Sequence, residues 1–314
     1  MATNQSITRD DVSPPEDMIP ELFQMAIQAS TVLQMGRRLQ DMLRNQQRIR
    51  VLDVLPAAYW VSGDSGLKQT SRMAWKDKFI NAEELAVIVP VPENVLDDND
   101  YDIWEEVKPR IGEEFGRAID AAILFGDDAP TGFPSDIVTG ATAALHAIAE
   151  GSGGGDVFDD IFGPSGSVAM VEADGYAVTG HIEAVQMRAK WRGLRTSDGS
   201  LIFSRSVQEG GGYTLDGNPA FFPLNGSFDP GMALDICGDW NQLVWSLRSD
   251  MDFKVGTEAV IQDNAGNIVF NTFQQDMVAL RCTLRMGWQL PNPVSKLQAD
   301  EALRYPFAIL TPAA

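Results

Sequence analysis

The stretch INAEELAVIVPVPENVLDDNDYDIWEEVKPRIGEEFGRAIDAAILFG, residues 80–126, decides the fold, because it passes from a strand pattern directly into a long helix pattern. Leu85 to Pro92 is apolar and contains two prolines, Pro90 and Pro92. Since these prolines are two positions apart, the N–H groups that they lack lie on the same edge of the strand. An edge strand tolerates this and a central strand does not, so the sequence predicts a strand at the edge of a sheet.

The second half of the stretch predicts one long helix. Its apolar face repeats at helical spacing through Ile103, Val107, Ile111, Phe115, Ala118, Ile119 and Ala122. Carboxylates crowd its start, where they suit the positive end of the helix dipole: Asp97, Asp98, Asp100 and Asp102. Pro109 predicts a kink or a split near Lys108, and Gly126 predicts the C-terminal cap.

Upstream, the sequence predicts an extended arm, a helix and a hairpin. Residues 1–20 are polar and contain prolines, and apolar residues then repeat at helical spacing from Leu22 to Leu43. VLDVLPAAYWV and ELAVIVPVP are typical of two strands, and the polar segment SGDSGLKQTSRMAWKDK between them predicts a long exposed tip.

Downstream, short helices and strands alternate, which favours an α+β fold. We expect a helix from Asp136 to about Glu150, a strand at SVAMV and a helix from Gly180 to Trp191. Hairpins are predicted in GGGYTLDGNP and IQDNAGNIVF. The strands MVALRCTLRMGWQL and PFAILTP close the chain.

Composition excludes several classes of function. The 314 residues carry a net charge of −20, whereas binding to phosphates requires a basic surface, so the chain is expected to enclose DNA at most and not to grip it. No apolar run approaches the roughly 18 residues needed to cross a bilayer. The N-terminus lacks the basic patch and apolar run of a signal peptide, which predicts a cytoplasmic product without a membrane partner.

Motifs for catalysis, metal binding or cofactor binding are not assembled by the sequence. Cys237 and Cys282 are predicted to be buried, reduced thiols, and neither His146 nor His181 lies near a cysteine in sequence, which disfavours a Cys/His zinc site. Ser65 lies in a Gly-Asp-Ser-Gly motif like that of chymotrypsin-like hydrolases, but both histidines follow it, in the wrong order. A serine hydrolase using Ser65 is a remote alternative, and no catalytic, cofactor or metal residue is predicted.

The order of these elements resembles the tailed-phage major capsid proteins of the Hong Kong 97 fold. The resemblance runs from about Ser30 to Thr311 and is carried by INAEELAVIVPVPENVLDD, the helix from Tyr101 to Gly126, LFGDDAPTGFPSDIV, YTLDGNPAFFP, DICGDWNQLVWSLRSDMDF and the two closing strands. It implies an N-terminal arm at 1–30, a peripheral domain with a spine helix at 31–49, 92–135 and 271–314, an extended loop at 50–91 and an axial domain at 136–270.

The resemblance also implies a function. Subunits would form hexamers and pentamers of an icosahedral head around double-stranded DNA, assembled in the host bacterial cytoplasm and present in the virion. Portal and a separate scaffold or decoration protein would be further partners. Some relatives cross-link a loop lysine to an asparagine, but Lys68, Lys76, Lys78 and Asn292 do not match position by position, so no cross-link is assigned. An encapsulin-type nanocompartment shell is the alternative, although such shells usually lack a long arm.

A basic island stands out in this acidic chain, formed by Arg37, Arg38, Arg44, Arg48 and Arg50. It is interpreted either as a solvated helix face or as a contact for an acidic surface on a neighbouring copy. Because the family's arm and loop cross neighbours near the spine helix, we expect the island to meet the acidic helix start between copies. That acidic patch comprises Asp97, Asp98, Asp100, Asp102, Glu105 and Glu106.

Overall fold

A computed structural model describes residues 29–61, 67–94, 103–152, 155–194, 213–262 and 265–313, with side chains of the long helix described from residue 107 onward. The helices are α1 (Thr31–Met35), α2 (Ile103–Leu124), α3 (Ile137–Ala143), α4 (Val157–Phe162), α5 (Ser167–Ala173), α6 (Met187–Gly193) and α7 (Thr272–Gln275). Within this part of the chain, no helix combines the length and the apolar character needed to cross a bilayer.

The strands form two larger sheets and two hairpins. The four-stranded sheet has the order β1 (Arg37–Arg38), β10 (Val244–Gly256), β13 (Met277–Gln289), β4 (Glu83–Pro92). The six-stranded sheet has the order β5 (Ala147–Ala149), β14 (Phe307–Thr311), β9 (Asp235–Gly238), β6 (Gly180–Glu183), β8 (Asn218–Phe221), β7 (Tyr213–Leu215). The two-stranded sheets pair β2 (Gln46–Val54) with β3 (Ala74–Asn81) and β11 (Val260–Gln262) with β12 (Ile268–Asn271).

The decisive stretch folds largely as its pattern predicts. Strand β4 lies at the edge of the four-stranded sheet, and among the described strands it pairs with β13 alone, which confirms the interpretation of Pro90 and Pro92. Helix α2 runs without interruption through Pro109, so the predicted split is wrong. Gly126 adopts a left-handed φ of +76° after the helix, in agreement with its predicted capping role.

Two cores lie on opposite faces of the six-stranded sheet. The first joins α2 to the four-stranded sheet and to Ile182, Ile236 and Ile309 of the six-stranded sheet. The second lies under the short helices and contains their residues Ile161 and Trp191 together with strand residues. Because alternate residues of a strand point to opposite faces, the sheet separates an aliphatic face from a second face that also carries polar side chains.

The predicted first helix is too long. Helix α1 ends at Met35, and Arg37 and Arg38 instead pair as strand β1 with Val244 and Trp245. The backbone at Gly36 comes close to the sheet, since an added Cβ there would lie 2.7 Å from a methyl group of Leu243. This close approach draws the chain into strand pairing.

The hairpin is also shifted from its predicted position. The return strand is β3, which begins inside the predicted tip, and its register runs from Gln46 opposite Asn81 to Leu52 opposite Trp75. The segment ELAVIVPVP, assigned to the extended loop, belongs instead to β4 of the four-stranded sheet. Strand β13 offers it a ten-residue partner, and that pairing outweighs the hairpin.

Short segments between residues 136 and 193 differ from prediction as well. SVAMV begins a helix rather than a strand, Gly180–Glu183 is a strand rather than the start of a helix, and α3 ends at Ala143, well before Glu150. The final strand, β14, lies between β5 and β9 in the six-stranded sheet, although residues 271–314 were assigned as a whole to the peripheral domain.

Candidate intersubunit surfaces

The base of hairpin β2–β3 is fixed to the rest of the subunit by its backbone. The amide of Val294 donates to the carbonyl of Leu52 at 3.0 Å, and the side-chain amide of Gln289 donates to the carbonyl of Phe79 at 2.9 Å. One face of the hairpin therefore rests on the end of β13 and on the segment that follows it.

Two lysines on β3 and one acid strengthen this base. The Lys76 ammonium lies 2.8 Å from Glu301, and the Lys78 ammonium lies 3.6 Å from the same carboxylate. The hydrogen bond from Lys76 lowers the pKa of Glu301, whereas burial lowers the pKa of Lys78. Both lysines thus have an acidic partner within their own chain.

The opposite face and the far end of the hairpin expose apolar side chains. Trp60 is fully exposed at 100% and Leu67 at 91%, while Trp75 and Phe79 on β3 are exposed at 56% and 43%. Trp75 and Phe79 lie on one side of the strand with Asp77 between them. Contiguous exposed apolar surface rimmed by charge is typical of a protein–protein contact.

The basic island is divided between two places and is not one helix face, so that interpretation is wrong. Arg37 and Arg38 lie on edge strand β1, where Arg38 contacts Asp41 at 3.0 Å and stacks 5.6 Å from the centroid of the Trp245 ring. Arg44 lies in the turn before β2 and forms no ion pair with the described residues.

On the hairpin itself, Arg48 and Arg50 converge on one acid. Their guanidinium groups lie 3.3 Å and 3.5 Å from Asp77 of the same hairpin. All three side chains share the face that carries Phe79. The exposed aromatic surface is therefore bordered by charge, part of which is already balanced within the chain.

The acidic partner patch falls largely outside the described residues. Asp97, Asp98, Asp100 and Asp102 are among the residues that the structure does not describe. The backbones of Glu105 and Glu106 form part of the first turns of α2, and their side chains lie outside the description. The contact between the two patches stays a prediction.

The start of the described chain, at Ser30, is anchored by a buried carboxylate that the sequence pattern did not reveal. Asp120 of α2 accepts hydrogen bonds from the Ser30 hydroxyl at 2.5 Å, the Thr31 amide at 2.9 Å and the Val32 amide at 3.1 Å. Burial raises the pKa of Asp120 to about 6, although the hydrogen bonds oppose the shift. The anchor joins residues ninety positions apart, so no local motif marks it.

Of the residues weighed for catalysis or metal binding, the structure describes the two histidines and the two cysteines. Ser65 lies outside the described residues. His146 and His181 are buried beside Asp174 and Asp235, at 3.3 Å and 3.2 Å. Both cysteines are buried and free, which confirms that prediction, and burial raises the pKa of Cys282 to about 12.

Comparison with known proteins shows that the chain is similar to phage capsid proteins. The model of the phage capsid family matches residues 12–296. The major capsid protein of Staphylococcus phage 80alpha is 25% identical over 275 residues, which cover 86% of this chain and 79% of the relative. A solved structure from Microbacterium phage Oxtober96 is 35% identical with a TM-score of 0.77, covering 90% of this chain and 91% of the other. One from Mycobacterium phage Cain is 29% identical with a TM-score of 0.76, covering 98% and 99%.

These similarities bear directly on the predictions from sequence. They confirm the α+β fold of the Hong Kong 97 type and the structural function of a tailed-phage major capsid protein. The subunit self-associates and is a component of the virion. Neither the hydrolase nor the nanocompartment alternative is favoured, since this family's proteins are structural components of phage shells. The chain belongs to the phage capsid family.

Proposed function

We propose that the chain forms hexamers and pentamers of an icosahedral head and that hairpin β2–β3 is its main strap onto a neighbouring subunit. The exposed side chains of Trp60 and Trp75 carry this proposal, because the described chain leaves Trp60 fully exposed and Trp75 at 56% exposure. Removing such surface from water contributes about 25 cal/mol per Å², and this gain becomes available when a second copy covers it.

The division of labour within the subunit follows the two sheets. The proposed peripheral region is built around α2 and the four-stranded sheet, and the proposed axial region around the six-stranded sheet. The extended loop is the hairpin from Gln46 to Asn81, and the arm precedes Ser30. In this division, the loop and the arm reach neighbours while the two sheets form the body.

The charge of the chain supports a container for DNA. A net charge of −20 repels the phosphate backbone, so packaged double-stranded DNA is enclosed without being held at fixed positions. Assembly in the bacterial cytoplasm, a portal and a scaffold or decoration protein complete the proposal. The basic residues of the island are proposed to contact the acidic start of α2 on another copy.

The test is a double substitution on the most exposed part of the hairpin, Trp60→Ser with Leu67→Ser. Because neither side chain is buried in the subunit, we expect the free energy of unfolding of the unassembled subunit to change by less than about 0.5 kcal/mol. The yield of particles, measured by velocity sedimentation and negative-stain microscopy, should fall by about tenfold or more, because the contact loses two apolar side chains.

The matched control is Thr70→Ala, which alters an exposed polar residue of the same hairpin. It should assemble like the wild type. Normal particle yield from the double variant would contradict the proposed role of the hairpin.

A further inference from the structure

Four side chains that can ligate metals form a square on one face of the six-stranded sheet. His181 and Glu183 lie two positions apart on β6, and Asp235 and Cys237 lie two positions apart on β9. In the antiparallel register His181 is opposite Cys237 and Glu183 is opposite Asp235. Since residues i and i+2 of a strand share a face, all four point to the same side of the sheet.

The side that they share is the one covered by the short helices. The residues between them, Ile182 and Ile236, belong to the aliphatic core on the other side, whereas Cys237 packs in the core under the helices. All four side chains have 0% exposure, so the square is closed to water. A site here would be structural, because catalytic metal sites keep an open position.

The distances within the square suit a small cation. One nitrogen of His181, one oxygen of Asp235 and the sulfur of Cys237 all lie within 4.8 Å of one another. The Nδ1 atom of His181 is 3.2 Å from a carboxylate oxygen of Asp235. Bonds of about 2.0–2.3 Å to a tetrahedral ion set neighbouring ligand atoms ~3.3–3.8 Å apart, so small movements of these three side chains bring their ligand atoms to the required spacing.

The square also contains polar atoms whose bonding is incomplete. Glu183 accepts one hydrogen bond from the indole N–H of Trp191 at 2.5 Å, but its other oxygen, Oε1, is buried without a partner among the described residues. The Nε2 atom of His181 is likewise buried without a hydrogen-bond partner among the described residues. Each such atom costs about 1–3 kcal/mol when it is buried.

Charge within the square is unbalanced as well. Two carboxylates face each other across the strands, an arrangement that is unfavourable when both are ionised. A bound divalent cation would neutralise this group and supply a partner for the unpaired carboxylate oxygen.

We propose that His181, Asp235 and Cys237, with Glu183 as fourth ligand, bind one divalent transition-metal ion of the zinc type in the axial region. Sulfur and imidazole nitrogen select such an ion over magnesium or calcium, which prefer oxygen ligands alone. Binding converts the Cys237 thiol to a thiolate and releases its proton to solvent. Residues 181 and 237 are joined only by strand pairing, which is why their spacing in sequence disfavoured a zinc site.

The proposal is tested by measuring metal in the full-length protein purified without chelators. Elemental mass spectrometry should find about one zinc ion per chain, as for a closed structural site. Cys237→Ser should lose most of the metal, whereas Cys282→Ser, which alters the other buried free cysteine, should keep it. Refolding the wild type with cobalt(II) should produce a thiolate-to-cobalt absorption band.

Two results would overturn the proposal. One is metal well below stoichiometry in both the purified and the zinc-refolded wild type, with no thiolate band from cobalt. The square would then be a His181–Asp235 hydrogen bond beside Glu183, with no metal ion. The other is full metal retention by Cys237→Ser. If Cys237→Ser does not fold, the cobalt spectrum and metal content of the wild type decide.

Discussion

Hairpin β2–β3 and the centre of the six-stranded sheet both carry large apolar side chains, yet these side chains differ in what covers them. Every residue of strands β6 and β9 is buried by the subunit itself. On the hairpin, by contrast, Trp60, Trp75 and Phe79 face outward. The sheet is therefore stabilised when one chain folds, and the hairpin is stabilised further only when chains meet.

This difference separates two kinds of energetic effect. Substitutions in the sheet act on the free energy of unfolding of the subunit, since they remove contacts that already exist. Substitutions on the exposed face of the hairpin act mainly on association. The same substitution made once in each region tells the effect on unfolding from the effect on association.

Phenylalanine offers such a pair, Phe307→Ala in the sheet and Phe79→Ala on the hairpin. Phe307 has 0% exposure and its ring centroid lies 4.9 Å from that of Trp240, so its truncation should reduce the free energy of unfolding by about 3–5 kcal/mol. Phe79→Ala should reduce it by less than about 1 kcal/mol and should lower particle yield instead.

Urea unfolding of unassembled subunits measures the first effect, and sedimentation of assembled material measures the second. Equal destabilisation by the two variants would mean that the hairpin is part of the subunit core. If Phe79→Ala assembles as the wild type does, the face of the hairpin that carries Phe79 is not part of the contact between subunits.

The anchor at Asp120 lies between these extremes, because it ties Ser30 and Thr31 to helix α2 through buried hydrogen bonds. Its pKa, raised to about 6, exceeds that of an unfolded aspartate, so the folded chain binds the proton more tightly. The free energy of unfolding therefore falls as pH rises from about 4 to about 6, by ~3 kcal/mol for a shift of about two units. Asp120→Asn should lack this decline.

Urea titrations between about pH 4 and 7 give the difference between wild type and variant at each pH. Asp53→Asn, which alters an exposed carboxylate, makes the same charge change away from the anchor. A difference that does not vary with pH would show that Asp120 does not titrate in this range.

The two regions also differ in how far the sequence alone predicts them. The sequence patterns predict the edge strand β4, helix α2 and the turn at Asp216 and Gly217, which both adopt positive φ. The helical repeat from Leu22 to Leu43, although long, continues past the observed end of α1 at Met35. Four-residue β6 and seven-residue α5 were misassigned, because short apolar runs do not distinguish buried strand from buried helix. Their partners in the sheet decided the outcome.

The sequence did not predict the hairpin or the buried polar sites correctly, and the reasons are related. Strand β3 exposes Trp75 and Phe79, so its apolar residues do not mark an inner face and its pattern was interpreted as a tip. Asp120 meets Ser30, and His181 meets Cys237, only after distant segments pair. Surface location of the basic island was predictable from charge, whereas its division between β1 and β2 depended on where the first helix ends.

The smallest expected effect on the subunit is that of Arg44→Glu. Arg48 is held by Asp77, so reversing its charge would set two acids together and weaken the hairpin itself. Arg44 forms no such pair with the described residues, and its reversal should change the free energy of unfolding by less than about 0.5 kcal/mol. If the basic island meets the acidic start of α2 on a neighbour, each contact contributes only about 0–1 kcal/mol but recurs at every interface.

Arg44→Glu should therefore lower particle yield and remove part of the salt dependence that wild-type assembly shows. Salt shortens the screening length to about 8 Å at physiological strength, so the wild-type yield should fall as salt is added and the variant's yield should fall less. Lys296→Glu, an equal charge change at an exposed site after β13, is the matched control and should assemble as the wild type does. Identical yields and salt dependence for Arg44→Glu and wild type would mean that Arg44 is solvated in the shell and that the two patches do not meet through it.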